Sequence, residues 1–284
     1  MNILENVYIK DGALLNLKLK KIKEEGINNL HIISDFDKTL NKFNLKSGKF
    51  KSAISLIRDG NYLELDYPKR ANQLYDRFHK FEMDLNLPFD KKSAKMLEWW
   101  KNHVELLSEC KMHKSVIKDI LSKDNIQLRE NVSNFLKFLS ENNIPILIFS
   151  SGIGQIISGF LEKKKLLFSN MFIISNFFDW DKNGFAKPMY KGNKIIHMLN
   201  KNGNEIKEIP YYNKIKDRKN IILLGDSLED LNMSFGLNHN EFVSIGFLNE
   251  NINERLEIYK DKFDIVITND GTFDQVLELL KEII

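Results

Sequence analysis

The chain has 284 residues, enough for one large domain or for a core that carries an inserted domain. Hydrophobic residues make up 43% of it and charged residues 29%, which is ordinary for a globular protein. The 42 basic and 39 acidic residues leave a formal net charge of +3. This excess is too small to indicate a nucleic-acid-binding protein, so we expect no nucleic-acid partner.

The single cysteine, Cys110, excludes an internal disulfide and favours a reducing compartment, so we expect a cytoplasmic protein. The first residues lack the basic flank and apolar core of a signal peptide. The longest apolar runs are too short for a membrane span, so we expect no membrane partner. The six histidines form no Cys/His cluster at zinc spacing. We further expect a monomer.

The first predicted elements are an amphipathic helix over residues 14–27 and a buried strand over residues 30–33. Asp35 and Asp37 follow the strand directly, at the end where open α/β sheets bind ligands. One carboxylate there can attack an electrophile while the other exchanges a proton with the leaving group. Together they also offer oxygen ligands to Mg²⁺. Because Asp-x-Asp also occurs by chance in solvated turns, the rest of the chain must supply the partners.

Strand patterns disappear between about residues 41 and 124, and four helices are predicted there: 50–57, 69–83, 91–107 and 114–121. A helical block inserted between two strands of an α/β sheet predicts a cap over the strand ends. The alternative is an unrelated helical appendage. We assign residues 1–45 and 126–284 to the core and residues 46–125 to the cap.

The second half of the chain alternates strands with helices. The predicted elements are a helix over 128–142, a strand over 145–149, a helix over 155–165, a strand over 171–175, a hairpin within 179–191, and strands over 221–224, 242–247 and 264–268. This alternation predicts an α/β fold whose core is a doubly wound parallel, Rossmann-like sheet.

Polar residues follow three of these strands, and the sheet should bring them to one edge. They are Asp35 and Asp37, Ser150 and Ser151, and Asp226 and Asp230. With a lysine, such a set can handle a phosphoryl group, because carboxylates hold Mg²⁺ and a serine with nearby N–H groups suits phosphate oxygens. Each part alone also has a bland interpretation, such as a helix cap for Ser150.

Five segments carry a resemblance to a known family: residues 34–40, 148–154, 174–177, 196–201 and 221–231. Their order and motifs resemble the phosphatases of the haloacid dehalogenase (HAD) superfamily. More closely, the chain resembles the pyrimidine 5′-nucleotidase family, over nearly its whole length. The segment Ile-Ile-Leu-Leu-Gly-Asp-Ser-Leu-Glu-Asp-Leu at 221–231 is the most specific of the five.

The resemblance implies roles at the strand ends. Asp35 matches the nucleophile that forms an aspartyl-phosphate, and Asp37 matches the general acid that protonates the leaving oxygen and then activates water. Asp35, the main-chain carbonyl of Asp37, and Asp226 match the ligands of the Mg²⁺ cofactor. Asp230 matches a supporting acidic position.

The resemblance also implies substrate contacts on the core side. Ser150 and Ser151 match a phosphate-binding pair, although relatives often have Ala at the second position. Lys201 matches the motif lysine, 25 positions before Asp226. Lys187 and Lys191 are its rivals, and we interpret Lys187, which precedes Pro188, as structural or exposed.

In the cap, Glu82 matches the glutamate that recognises the base, where a carboxylate can accept a hydrogen bond from an exocyclic amine. The bland alternative is an exposed helix carboxylate. His103 falls where relatives tend to carry a serine near the base. Trp99 and Trp100 match a cap motif, either as cap core or as an aromatic wall for the base.

We therefore expect a Mg²⁺-dependent 5′-nucleotidase that hydrolyses nucleoside 5′-monophosphates, with pyrimidine nucleotides such as CMP and UMP favoured. Transfer of the phosphoryl group to a nucleoside is a possible second activity. One alternative is a related phosphatase acting on another phosphate ester, such as 7-methyl-GMP or a sugar phosphate. The other is a non-catalytic binding protein on the same fold.

Overall fold

The computed structural model describes residues 5–45, 48–49, 51–64, 66–84, 86–123, 125–187 and 194–284. These residues contain a seven-stranded sheet and a separate two-stranded hairpin, β3–β4. The strands are β1 (Val7–Ile9), β2 (Leu30–Ser34), β3 (Asn44–Leu45), β4 (Gly48–Lys49), β5 (Ile146–Ile153), β6 (Met171–Asn176), β7 (Asn220–Gly225), β8 (Glu241–Leu248) and β9 (Ile265–Thr268).

The strand order in the large sheet is β1-β9-β8-β7-β2-β5-β6, and every neighbouring pair is parallel except β1 with β9. The predicted α/β fold with a doubly wound core is confirmed. One correction is needed: β1, which the sequence pattern did not predict, adds an antiparallel edge to the parallel sheet. With three residues, β1 is too short to show an alternation of apolar and polar residues in the sequence.

Both faces of the sheet are buried. Ile32 and Ile222 pack in one hydrophobic cluster, whereas their neighbours Ile33 and Leu223 pack in a second cluster. All four are fully buried. A strand covered on both faces has a continuous apolar sequence rather than an alternating one, which explains the unbroken runs at β2 and β7.

Helices supply the covering layers. They are α1 (Gly12–Glu25), α2 (Ala53–Asp59), α3 (Tyr67–Met83), α4 (Phe89–Glu109), α5 (Lys114–Ser122), α6 (Val132–Glu141), α7 (Gly154–Lys163), α8 (Gly203–Lys207), α9 (Tyr212–Ile215), α10 (Ile252–Lys262) and α11 (Asp274–Ile283). Short 3₁₀ turns span Ile27–Asn29 and Leu228–Ser234. Buried residues of α1, α6, α7 and α11 join the first cluster, and those of α8 and α9 join the second.

The helices between β2 and β5 lie in the stretch predicted as a cap. α3 packs against α4, where the rings of Phe78 and Trp99 stack at 6.1 Å. α5 packs instead against α7 of the core. The turn before α5 is also tied to the core, because Ala186 N donates to Met112 O at 2.8 Å. The division of the chain at residues 46 and 125 stays a prediction.

Two local differences from prediction concern the chain after β5. The strand continues to Ile153 instead of ending at Phe149, because it pairs again with β6 at Asn176 after a register shift. The predicted hairpin is present over the described residues 179–187, with a bridge between Trp180 and Ala186. Its predicted last residues, 188–191, lie outside the described residues. None of the helices described here is both long and apolar enough to cross a membrane.

Candidate active site

The strand register brings the predicted site residues to one edge of the sheet. Ser34, the last residue of β2, pairs with Leu224 of β7 on one side and with Ile148 of β5 on the other. The residues just beyond these pairs include Asp35 and Asp226. Asp35 N donates to Leu224 O at 2.9 Å, which holds the first carboxylate at the tip of the sheet.

Lys201 forms two buried ion pairs at this edge. Its Nζ lies 2.8 Å from Asp35 Oδ1 and 2.5 Å from Asp230 Oδ1. Only 4% of Lys201 is exposed. Burial lowers the pKa of its ammonium group, but Asp230 and Asp35 outweigh burial and hold that pKa above its ordinary value. The structure thus brings Lys201 to the carboxylates, whereas Lys187 is exposed and Lys191 lies outside the described residues.

Asn176, at the end of β6, orients the segment that carries Lys201. Its Oδ1 accepts from Ile196 N and its Nδ2 donates to Ile196 O, both at 2.8 Å. Asn176 is itself buried. These two bonds fix the N–H and the C=O of Ile196 against the end of β6. The chain continues from there to Lys201, which meets Asp35 at the tip of β2.

Asp230 is held by the start of the 3₁₀ turn that follows β7. Its Oδ2 accepts from Asp226 N at 3.1 Å, Ser227 N at 3.0 Å and Ser227 Oγ at 2.9 Å. With Lys201 on Oδ1, both of its oxygens have partners. Asp230 therefore fixes the main chain at Asp226 and the ammonium group of Lys201 in position.

The carboxylates suit a hard cation. One oxygen each from Asp35, Asp226 and Asp230 lies within 4.8 Å of the others. An all-oxygen donor set of this kind fits Mg²⁺. Since Oδ2 of Asp230 accepts three hydrogen bonds and Oδ1 is ion-paired with Lys201, Asp35 and Asp226 are the carboxylates better placed to serve as direct ligands.

Asp37 lies beside the loop at the end of β5. A Cβ built on Gly152 would lie 3.5 Å from Asp37 Oδ2 and 3.2 Å from Ser150 Oγ. Ser150 Oγ accepts from Gly152 N at 3.0 Å, and Asp37 Oδ1 accepts from Asn41 Nδ2 at 3.2 Å. Asp37 and Ser150 are thus adjacent, and the glycine leaves space between them.

Burial raises the pKa of three aspartates at this edge of the sheet. It raises the pKa of Asp35 to about 7, against the opposing effect of Lys201 and with help from Asp230 and Asp37. It raises the pKa of Asp37 to about 6, with Asn41 opposing the rise. The pKa of Asp226 is raised as well, first by burial and then by Asp230 and Asp35. A carboxyl group with a pKa near 6 can donate a proton at neutral pH.

Arg129 is a site residue that sequence reasoning missed. Its guanidinium donates to the main-chain carbonyls of Lys38 at 2.5 Å and Thr39 at 2.8 Å, directly after Asp37. It also lies 3.3 Å from Asp270 Oδ1, and its side chain is fully buried. No sequence signal marks this role, because main-chain carbonyls are present at every position.

Residues of α2, α3 and α4 line a cavity of about 300 Å³ together with Ser151 of β5 and residues 197–198. This is within the size range of small-molecule pockets. Five of its lining residues were named from the sequence, and Tyr75 is a further aromatic lining residue that was not; the five are Glu82, Trp99, Trp100, His103 and Ser151. The two predicted cap residues, Glu82 and His103, therefore share one cavity with Ser151 of the predicted phosphate pair.

Neighbouring side chains hold Glu82 in place at the cavity wall. His79 Nδ1 lies 2.8 Å from Glu82 Oε2, and the His79 ring stacks on Tyr75 at 4.5 Å. Tyr75 also meets Trp99 edge-on at 6.0 Å. The tryptophans are predicted as cap core or as an aromatic wall for the base; Trp99 stacks on Phe78 and also lines the cavity, and its contact with a base stays a prediction.

Comparisons with known proteins identify related sequences. The sequence model of the pyrimidine 5′-nucleotidase family (UMPH-1) matches residues 38–284. The 7-methylguanosine phosphate-specific 5′-nucleotidase of Mus musculus is 34% identical over 264 residues, covering 93% of this chain and 87% of the relative. A putative cytosolic 5′-nucleotidase 3 of Caenorhabditis elegans is 31% identical, covering 95% of this chain and 73% of the relative.

Solved structures show the same fold. The crystal structure of cytosolic 5′-nucleotidase IIIB bound to cytidine superposes with a TM-score of 0.84 and 26% identity, covering 99% of this chain and 94% of that chain. A HAD family hydrolase of Salmonella enterica, at a TM-score of 0.58 and 15% identity, shares the fold alone; the match covers 89% of this chain and 71% of that chain. The family model and the relatives' identities establish that the chain belongs to the pyrimidine 5′-nucleotidase family, and its fold is HAD-like.

Proposed function

We propose that this member of the 5′-nucleotidase family hydrolyses nucleoside 5′-monophosphates to a nucleoside and phosphate. One observation carries the proposal: a cavity of nucleoside size is lined by Glu82, by aromatic side chains and by Ser151. Ser150, the neighbour of Ser151, lies close to Asp37, and Asp35 is paired with Lys201 at the same edge of the sheet. The charged residues suit a phosphoryl group, and the cavity suits a base. The aromatic walls favour a phosphate ester that carries a base over a sugar phosphate without one.

The first chemical step is an attack by Asp35 on phosphorus. Lys201 occupies Oδ1 of Asp35, so Oδ2 is the attacking oxygen. The new Asp35–phosphorus bond forms as the bond from phosphorus to the 5′-oxygen breaks. Asp37 delivers its proton to that oxygen, and the nucleoside leaves. Ser150 and Ser151 hold the phosphoryl oxygens during the transfer.

The second step regenerates the enzyme. Asp37, now ionised, takes a proton from a water molecule, whose oxygen attacks phosphorus. The bond from phosphorus to Asp35 breaks, and phosphate and the Asp35 carboxylate are released. The raised pKa of Asp37 suits both steps, because this group must be protonated in the first and accept a proton in the second. Interception of the phosphoenzyme by a nucleoside instead of water would give phosphotransfer.

A Mg²⁺ ion, held by Asp35, Asp226 and the main-chain carbonyl of Asp37 with Asp230 behind them, would offset the charge on the phosphoryl group. Lys201 also offsets this charge, and its ion pair with Asp35 opposes the rise in the pKa of that carboxyl group and so favours the ionised form that attacks. Lys201 and Asp230 are buried together, so their positions are set before substrate binds.

The base is a pyrimidine or a 7-methylated guanine, and features of the cavity favour each. Glu82 can accept from the exocyclic amine of cytosine, which supports CMP. Tyr75, Trp99 and Trp100 line the same cavity, and aromatic faces attract the positive charge of 7-methylguanine, which supports 7-methyl-GMP. The relatives' names include both a cytosolic nucleotidase bound to cytidine and nucleotidases specific for 7-methylguanosine phosphate.

We also propose that the protein acts in the cytoplasm as a monomer, without a nucleic-acid or membrane partner. Relatives named cytosolic 5′-nucleotidases support the compartment. The free, buried thiol of Cys110 suits a reducing environment.

The test is phosphate release from CMP, UMP, 7-methyl-GMP, AMP and ribose 5-phosphate, each with Mg²⁺ and with a chelator. Asp35→Asn is compared with Asp76→Asn, a matched change on the exposed surface of α3. We expect Mg²⁺-dependent turnover of nucleotides that is lost in Asp35→Asn and kept in Asp76→Asn. Turnover of ribose 5-phosphate alone would refute the nucleotide assignment, and no turnover by folded protein would favour a non-catalytic role.

A further inference from the structure

The cavity wall contains a hydrogen-bonded pair that the proposed mechanism does not use. His103, on α4, lines the cavity, and its Nε2 lies 3.0 Å from the hydroxyl oxygen of Tyr67. Tyr67 does not line the cavity and is only 1% exposed. Nε2 is therefore engaged by a residue outside the cavity lining, and Nδ1 is the ring nitrogen that a ligand in the cavity can meet.

The imidazole is neutral at neutral pH. Burial, with a further contribution from the Arg58 guanidinium, lowers the pKa of His103 to about 4. Arg58 lines the same cavity as His103. A neutral imidazole carries one N–H, so one of its nitrogens donates a hydrogen bond and the other accepts.

The buried hydroxyl of Tyr67 decides which nitrogen carries the hydrogen. A tyrosine hydroxyl has one hydrogen to donate, and a buried donor without an acceptor is costly. Among the described residues, His103 Nε2 is the acceptor found for Tyr67. If Nε2 accepts that hydrogen, the hydrogen of the neutral imidazole resides on Nδ1. The cavity then has a donor at His103 and an acceptor at Glu82.

We propose that Nδ1–H of His103 donates a hydrogen bond to a carbonyl oxygen of the nucleobase, and that Tyr67 sets the tautomer that makes this possible. The inference rests on the proposed function and deepens it. In this contact the protein supplies the hydrogen and the base supplies a carbonyl oxygen, an acceptor that adenine lacks. Tyr67 is a positioning residue, because it acts through His103.

The activity test is the ratio of kcat/KM for CMP to kcat/KM for ribose 5-phosphate, which has no base. A neutral hydrogen bond supports a 3- to 10-fold effect, by the roughly 1 kcal/mol expected of one. We expect His103→Leu to lower the ratio by about that factor through KM. His103→Asn, whose amide N–H can lie near the position of Nδ1, should restore part of it. Tyr67→Phe should lower the ratio by a smaller factor, since both tautomers then compete.

The second readout does not depend on turnover. Nitrogen-15 NMR of the imidazole, assigned by the signals lost in His103→Asn, should show the hydrogen on Nδ1 in the wild-type protein. In Tyr67→Phe the signals should shift toward the Nε2–H form. A wild-type Nε2–H form would overturn the tautomer assignment, and an unchanged ratio in His103→Leu would overturn the base contact. Both outcomes differ from failure of the proposed function, in which no nucleotide is turned over at all.

Discussion

Arg129→Met should destabilise the protein far more than an ordinary change at an arginine. Burial lowers the pKa of Arg129 to about 10, so it stays charged at neutral pH, opposite Asp270. Removing one partner of a buried ion pair costs about 3–5 kcal/mol. We expect the lower end, about 3 kcal/mol, because Asp270 keeps hydrogen bonds from Phe43 N at 2.7 Å and Asn44 N at 2.6 Å.

The assay is thermal unfolding followed by circular dichroism. At roughly 2 °C per kcal/mol for a chain of this length, Tm should fall by about 6 °C. Arg77→Met is the matched control, since Arg77 pairs with Glu98 at 2.8 Å on the cap surface and its side chain is 60% exposed. That change should cost less than about 1 kcal/mol. Arg129→Lys, which keeps the charge but not the fork of donors, should fall between the two.

Equal destabilisation by Arg129→Met and Arg77→Met would refute the reasoning. It would mean that the carbonyls of Lys38 and Thr39 find other donors, and that Arg129 does not anchor the chain after Asp37.

Three further predictions concern the site and the core. Lys201→Met should lower kcat at least about 100-fold, because it removes the charge that faces Asp35, whereas the exposed Lys187→Met should not change steady-state kinetics; equal effects would remove Lys201 from the mechanism. Glu82→Gln should raise KM for CMP more than for ribose 5-phosphate, since the amide no longer presents an ionised acceptor; a parallel rise for both would place Glu82 away from the base. Burial, with Arg218 and His239, lowers the pKa of His31 to about 3. The unfolded chain therefore binds a proton at His31 near pH 6.5, whereas the folded protein binds it only at much lower pH. The wild-type protein therefore loses stability as pH falls through this window, whereas His31→Leu does not. In urea unfolding, the free energy of unfolding of the wild type minus that of His31→Leu should fall by about 1.4 kcal/mol per pH unit between pH 6 and 4. A constant difference would contradict the burial argument.

Much of the fold could be predicted because local patterns and the core agree. The apolar runs at β2 and β7 are unbroken, since both faces of the sheet are covered, and such runs are visible without a structure. β1 was missed, since its pairing with β9 depends on residues some 260 positions away. The end of β5 was placed four residues early, because its continuation depends on renewed pairing with Asn176 of β6.

The sequence by itself determined which groups could do the chemistry. Asp35, Asp37, Asp226 and the serines follow apolar runs, and the parallel arrangement of the strands that these runs form requires their carboxyl ends to share one edge. These are properties of neighbouring residues and of the order of elements, so a linear reading captures them. Family resemblance added Lys201 and Glu82.

Only the tertiary structure decided how those groups are held. Lys201 lies 2.8 Å from Asp35 because Asn176 returns the chain to the sheet edge, and Arg129 reaches main-chain carbonyls of a loop some 90 positions away. The tautomer that Tyr67 favours at His103 likewise depends on burial and a single contact. Such contacts join residues far apart in sequence. Some use main-chain groups, which every residue carries, and others depend on burial, which no local sequence pattern reveals. They form only when the packed chain brings the residues together.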